Sequence, residues 1–178
     1  MRWIVAKHAN IKIFFAFCLL GTAAIPAAAQ EGCTGFGWPM ATEIAWMTAA
    51  DSQAVETGAK MPGLAAKAIE LKLKPSKEVT LPVKSGKKKQ GIAPDSYSGW
   101  FEIAGLPKAG FYQVSLSHEG WIDVAQNGEL VQSKGFTGRK DCKAVHKSVR
   151  FELGAGPVIV EISGAPVETV KVSVREVN

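Results

Sequence analysis

The chain has 178 residues, 21 Lys and Arg against 16 Asp and Glu, and 47% hydrophobic residues. That length suits one domain with little room for a second, and the composition excludes a wholly disordered chain. Gly 18, Pro 9 and 8% aromatics favour turns and strands over a helix bundle, and three Cys with three His leave little material for a metal cluster.

Residues 1–29 read as a secretory signal peptide. Arg2, Lys7 and Lys12 precede an apolar core from Ile13 to Ile25, thirteen residues long. Pro26 breaks that core, and Ala27-Ala28-Ala29 puts small residues at a cleavage site before Gln30. A transmembrane anchor would need roughly 20 apolar residues. A lipoprotein would need small residues before its cysteine, and neither Cys18 nor Cys33 has that setting. Removing 29 residues leaves 149, and 21 basic residues less the three of the leader leaves 18 against 16 acidic ones. A nearly neutral mature chain has no electrostatic footprint for nucleic acid. The expected location is periplasmic or secreted, with no transmembrane segment after cleavage.

Cys33 and Cys142 remain, and an oxidising compartment favours a disulfide between them. Free thiols or a redox pair are the rival reading, but no CxxC spacing supports redox work.

Downstream of a Gly-rich start, Trp38-Pro39 opens a helical stretch. Met40, Ile44 and Met47 recur at i, i+4, i+7, and Trp46 and Ala50 broaden the face, so one short helix is predicted over about 40–50. Residues 30–65 form an N-terminal segment, mixed after the helix. From residue 66 to 178 the period is two. Ile69, Leu71 and Leu73 alternate with charged residues, and Val79, Leu81 and Val83 predict a second strand ending near Pro82. Residues 84–96 read as a polar loop. Strands follow at Trp100–Ala104, at Tyr112–Leu116 and at Trp121–Ala125, which Asn127-Gly128 turns into Glu129–Gln132. Residues 133–145 read as a loop carrying Cys142. Three more strands centre on Phe151, Val160 and Val172. About nine short strands with one apolar face each predict a mainly β fold, an antiparallel β-sandwich of jelly-roll type with one short N-terminal helix.

Two segments carry a resemblance, GFYQVSLSHEGWIDV (110–124) and GPVIVEISGAPVETVKVSV (156–174). Their strand pattern resembles small secreted bacterial β-sandwich modules of the pre-peptidase C-terminal type over roughly residues 66–177. Trp38–Trp46 and Cys142–Leu153 are also similar to segments of short exported alphaproteobacterial proteins of unestablished activity. Some of those carry a homogentisate dioxygenase label. The resemblance implies a jelly-roll-like sandwich serving as an accessory binding module, and brings no catalytic residues. A non-haem iron oxygenase needs two His and a carboxylate on one ion. Outside the leader the only His are His118 and His146, and adjacent His118 and Glu119 would point to opposite faces of a strand.

Other constellations are weak. Ser117-His118-Glu119 brings three useful residue types together, but adjacency is not triad geometry, and no GxSxG elbow exists. Asp95, Asp123 and Asp141 are not concentrated in a calcium loop. Lys87-Lys88-Lys89 is a short run that suits a solvated loop tip. The aromatics carry more. Tyr97, Trp100 and Trp121 fall on or beside strands, where they either fill the core or offer flat faces to sugar rings. In the GWIDV strand, Ile122 and Val124 share one face, and Trp121 and Asp123 share the other. The apolar pair is the cheaper to bury, so Trp121 is expected outside beside Asp123. These four residues, Trp121, Asp123, Trp100 and Tyr97, form the expected ligand surface. The expected function is a non-catalytic binding module, with a glycan or an envelope protein as partner and no cofactor. A structural envelope protein is the first alternative and a metal-dependent oxygenase the second.

Overall fold

The alternating residues Tyr112, Val114, Leu116 and Val170, Val172, Val174 are all buried and turn to one interior. Period-two burial of this kind repeats along strand after strand, and the sheets it builds pack face to face. The computed structural model describes residues 31–86 and 91–177. The leader and the Lys87–Lys89 run lie outside the described residues.

In chain order the elements are helix α1 (Ala41–Thr48), β1 (Gln53–Glu56), β2 (Ala59–Met61), β3 (Ile69–Lys72), β4 (Lys74–Pro75), a 3₁₀ turn (Ser76–Glu78), β5 (Tyr97–Leu106) and β6 (Gly110–Leu116). They continue with β7 (Trp121–Gln126), β8 (Glu129–Leu130), β9 (Ser133–Gly138), β10 (Lys147–Leu153), β11 (Gly156–Ala165) and β12 (Thr169–Val177). The first sheet runs β1-β3-β12-β6-β10-β9 and the second β2-β5-β11-β7-β8, with β4 beside β5. The mainly β sandwich with one short helix is therefore the observed fold. Between the sheets lie Val149, Phe151 and Leu153 of the first and Phe101, Ile103, Val158, Val160 and Ile162 of the second.

Three local expectations need correction. The sheets are mixed, because β1 pairs with β3 and β2 with β5 in parallel. Both strands come from the stretch read as mixed. The turn at Thr57-Gly58, where Gly58 has φ 88°, sends β1 to one sheet and β2 to the other. Val79–Val83 forms no strand; Pro82 has no amide to give a ladder, and the Val83 N–H bonds a side chain instead. Ser133–Gly138, read as loop, is edge strand β9; its SKGFTG sequence has no apolar alternation, and backbone pairing with β10 sustains it. The Asn127-Gly128 hairpin forms as expected, with φ of 56° and 81° at its two residues.

α1 covers the outer face of the first sheet. Met40, Ile44 and Met47 are buried as their spacing predicts, and they form a second apolar cluster with Ala68, Cys142, Ala144 and Val145. Eight residues are too few for a helix to hold itself in water, so the sheet must supply its anchors. Lys171 Nζ donates to the Met47 and Ala49 carbonyls at 2.9 and 2.7 Å, closing the helix C-terminus. Glu43, also on the buried face, is 0% exposed. Register places Arg175, Gln113 and Arg150 side by side on three strands beneath it. Glu43 Oε1 accepts from Gln113 Nε2 at 2.6 Å and from Arg175 Nε. Arg150 Nε donates to Gln113 Oε1 at 3.0 Å, and its guanidinium lies 4.2 Å from the Trp38 ring centroid. The Cys33–Cys142 disulfide, whose ends are 109 positions apart in sequence, fastens the same layer.

Two stability changes follow. Cys33→Ala should lower unfolding stability by a few kcal/mol, below the roughly 4–5 kcal/mol that chain entropy allows for so long a loop. Denaturant unfolding under oxidising and reducing conditions checks this, and equal midpoints would contradict it. Glu43→Ala should cost about 3 kcal/mol, since it strands Arg175, whose side chain keeps only 27% exposure. Glu43→Gln should cost less in the same assay, because it keeps an acceptor in place.

Candidate functional site

The outer face of the second sheet carries the side chains that the first sheet's covered face does not offer. On β7, Ile122 and Val124 are 5% and 0% exposed, while Trp121 keeps 39% and Asp123 is half-buried. The expected facing of this strand is the observed one. Trp121 Nε1 donates to Asp123 Oδ1 at 2.9 Å. Asp123 Oδ2 accepts from Ser85 Oγ at 2.8 Å and from the Gly86 N–H at 3.0 Å. Asp123 is thus spent on three groups of its own chain, and its effect is to fix the indole and to tie down residues 83–86.

Cross-strand register sets Trp100, Glu161 and Asp123 in one row over β5, β11 and β7. Glu161 escaped the sequence reading. It breaks the apolar run of VIVEIS, and a lone Glu in such a run reads as an ordinary solvent-facing position. In the structure it is 1% exposed. Its Oε1 accepts from the Val83 N–H at 2.8 Å, and its Oε2 has no partner among the described residues. Burial pushes the Glu161 carboxyl up to about 7; the Val83 N–H opposes this and the Asp123 charge adds to it. Ser163, two residues on and opposite Trp121, has a buried hydroxyl that is likewise unpartnered among the described residues.

Trp100 and Tyr97 do not join Trp121 in one platform. Trp100 is half-buried under the Thr57-Gly58 turn: its N–H donates to Thr57 Oγ1 at 2.8 Å, and its carbonyl accepts from the Gly58 N–H at 2.7 Å. Tyr97 packs against the main core and its hydroxyl donates to Glu168 Oε1 at 3.1 Å.

Trp121 instead belongs to a cleft at the open edge of the sandwich. Ile122, Val131, Val149 and Phe151 floor it, Trp121 and Phe136 flank it, and its volume is about 170 Å³. Phe136 is 74% exposed although it pairs with inward-facing Val149. Lys147 Nζ lies 5.5 Å from the Trp121 ring centroid and donates to the Gly120 carbonyl at 3.0 Å. The indole is therefore held at its N–H and on one face.

Elsewhere, Ser117 Oγ accepts from the Lys171 N–H at 2.9 Å and stands 2.8 Å from His118 Nδ1. His146 is half-buried, and burial holds its imidazole below the ordinary histidine range. Among the described residues no three His, Cys, Asp or Glu side chains converge as a metal-binding group, and no helix is long and apolar enough to cross a membrane. No family model, curated protein or solved structure matches this chain.

Glu161 generates a pH signature. Its folded value of about 7 lies above its ordinary 4.5, so the native state keeps a proton that the unfolded chain has lost. The resulting stability is complete below pH 4.5 and disappears as pH rises to about 7, a loss of roughly 3 kcal/mol. Relative to Glu161→Gln, the native sequence should lose melting temperature across that window. An identical pH profile for both proteins would refute the assignment.

Proposed function

We propose that this chain is a non-catalytic binding module that takes an apolar group of its ligand into the cleft between Trp121 and Phe136. One observation carries the reading. Three large apolar side chains remain exposed among the described residues, Phe111, Trp121 and Phe136, and two of them flank the same preformed cleft. Exposed rings beside a concave apolar floor are the usual makings of a recognition surface. The Asp123 and Lys147 contacts immobilise the indole in advance, which lowers the entropy lost on binding.

The non-catalytic part rests on access. Glu161 titrates in the range of a general acid or base, but it is 1% exposed beneath residues 83–86. Export is part of the proposal. The leader-like residues 1–29 and the Cys33–Cys142 bond both suit an oxidising compartment. A glycan is the second reading, favoured by the exposed indole beside Asp123. Against it stands the engagement of both Asp123 oxygens within the chain.

The apolar dye 8-anilinonaphthalene-1-sulfonate and a panel of soluble oligosaccharides separate the two. The folded protein should bind the dye. Trp121→Ala and Phe136→Ser should each weaken that binding at least tenfold, with melting temperatures within a few degrees of the native sequence, since exposed-site changes are usually near neutral. Dye binding unaltered by Phe136→Ser would contradict the cleft. Oligosaccharide binding lost only in Trp121→Ala would move the reading to a glycan.

A further inference from the structure

The second sheet ends unevenly. β8 pairs with β7 only at Ala125 and Gln126, and one further bond runs from the Val131 N–H to the Val124 carbonyl at 2.8 Å. The chain then leaves for the first sheet, where Ser133 begins β9. From Asp123 back to Trp121, this edge of β7 has no strand beside it among the described residues. In an antiparallel ladder the N–H and C=O of one residue point to the same side, and residues two apart point alike. Val124 turns its carbonyl to the β8 side, so Ile122 turns both of its backbone groups to the open edge.

Phe136 overhangs this place. It has the inward parity of its partner Val149, yet among the described residues no strand of the second sheet continues beyond β7 and β8 to cover it, in keeping with its exposure of 74%. The cleft under it measures about 170 Å³. A cavity of about 150 Å³ admits benzene, so one aromatic or branched aliphatic side chain fits.

We propose that the edge of β7 at Ile122 is a strand-addition site, where an extended segment of a partner polypeptide continues the ladder of β8 and lowers one apolar side chain beneath Phe136. An extended backbone satisfies both the N–H and the C=O of Ile122 at once. The residue set opposite Ile122 shares its face, so its side chain enters the cleft, while its two neighbours turn out towards Trp121 and Asp123. A small apolar molecule would fill the cleft and leave the Ile122 backbone as it is. The proposal rests on the cleft being the binding surface, and the test keeps the two apart.

Random decapeptides displayed on phage are panned against the purified disulfide-bonded protein and against its Phe136→Ser variant, and the enriched peptides are synthesised. For peptides selective for the native sequence, amide exchange at Ile122 should slow at least tenfold on binding. N-methylation of the peptide residue opposite Ile122 should weaken affinity at least tenfold, and N-methylation of the next residue should change it less than threefold. Equal affinity across the N-methylated series, with Phe136→Ser still impaired, overturns strand addition and leaves the cleft standing. No selective peptide, together with dye binding indifferent to Phe136→Ser, removes both. A native-sequence dimer that Phe136→Ser dissociates assigns the edge to a second copy and overturns the separate partner.

Discussion

A carboxylate buried under a short helix determines how the N-terminal layer sits. Glu43 reaches no solvent, and an ionised group there is tolerated only with donors in place. Gln113 and Arg175 supply them from adjacent strands. Arg150 in turn orients Gln113 and stacks on Trp38. The outer face of the first sheet is consequently polar at its centre and apolar around it, where Met40, Ile44 and Met47 meet Ala144 and Val145. An apolar helix face alone would slide on such a surface. The Glu43 contact sets one register, and the Lys171 bonds to the helix end confirm it.

Covering one outer face leaves the other to meet the surroundings. Among the described residues no helix lies over the second sheet, and its polar row is roofed by residues 83–86 through Val83, Ser85 and Gly86. Its far edge is truncated where β8 departs. The sandwich therefore has one covered flank and one open flank, and two of the three exposed rings, Trp121 and Phe136, border the cleft on the open one. Trp121 links the two features of that flank, since its N–H bonds the carboxylate under the roof while its ring borders the cleft.

Much of this was legible in the residues. The long strands and the facing of Ile122 and Val124 follow from period-two alternation, and the hairpin from Asn127-Gly128. The disulfide rests on there being one pairing for two cysteines. What alternation cannot show is a strand held by backbone bonds alone, which is why β9 escaped notice, or a Val-Leu-Val alternation that never enters a ladder, as at residues 79–83. Glu43 and Glu161 were missed for a shared reason. A glutamate in a pattern is read as solvent-facing, and only the partners brought by other strands make its burial affordable. The proposed cleft was half legible: Trp121 and Asp123 are where the pattern puts them, but Phe136 has no neighbour in sequence to mark it, and Trp100 and Tyr97 make other contacts.

The wiring of the N-terminal layer has a consequence for the order of assembly. α1 is the first described element in the chain, yet the polar groups and the disulfide that secure its layer are completed late: Gln113 in β6, Cys142, Arg150 in β10, and Lys171 and Arg175 in β12. A chain synthesised from its N-terminus carries this segment unsecured until the last strand exists. The segment with the longest wait is also the one whose contacts span nearly the whole sequence, the kind that close slowly because loop entropy must be overcome first. The beginning of the fold is thus its final seam, and a sandwich that has formed without it would display a polar, arginine-bearing face that the finished molecule never shows.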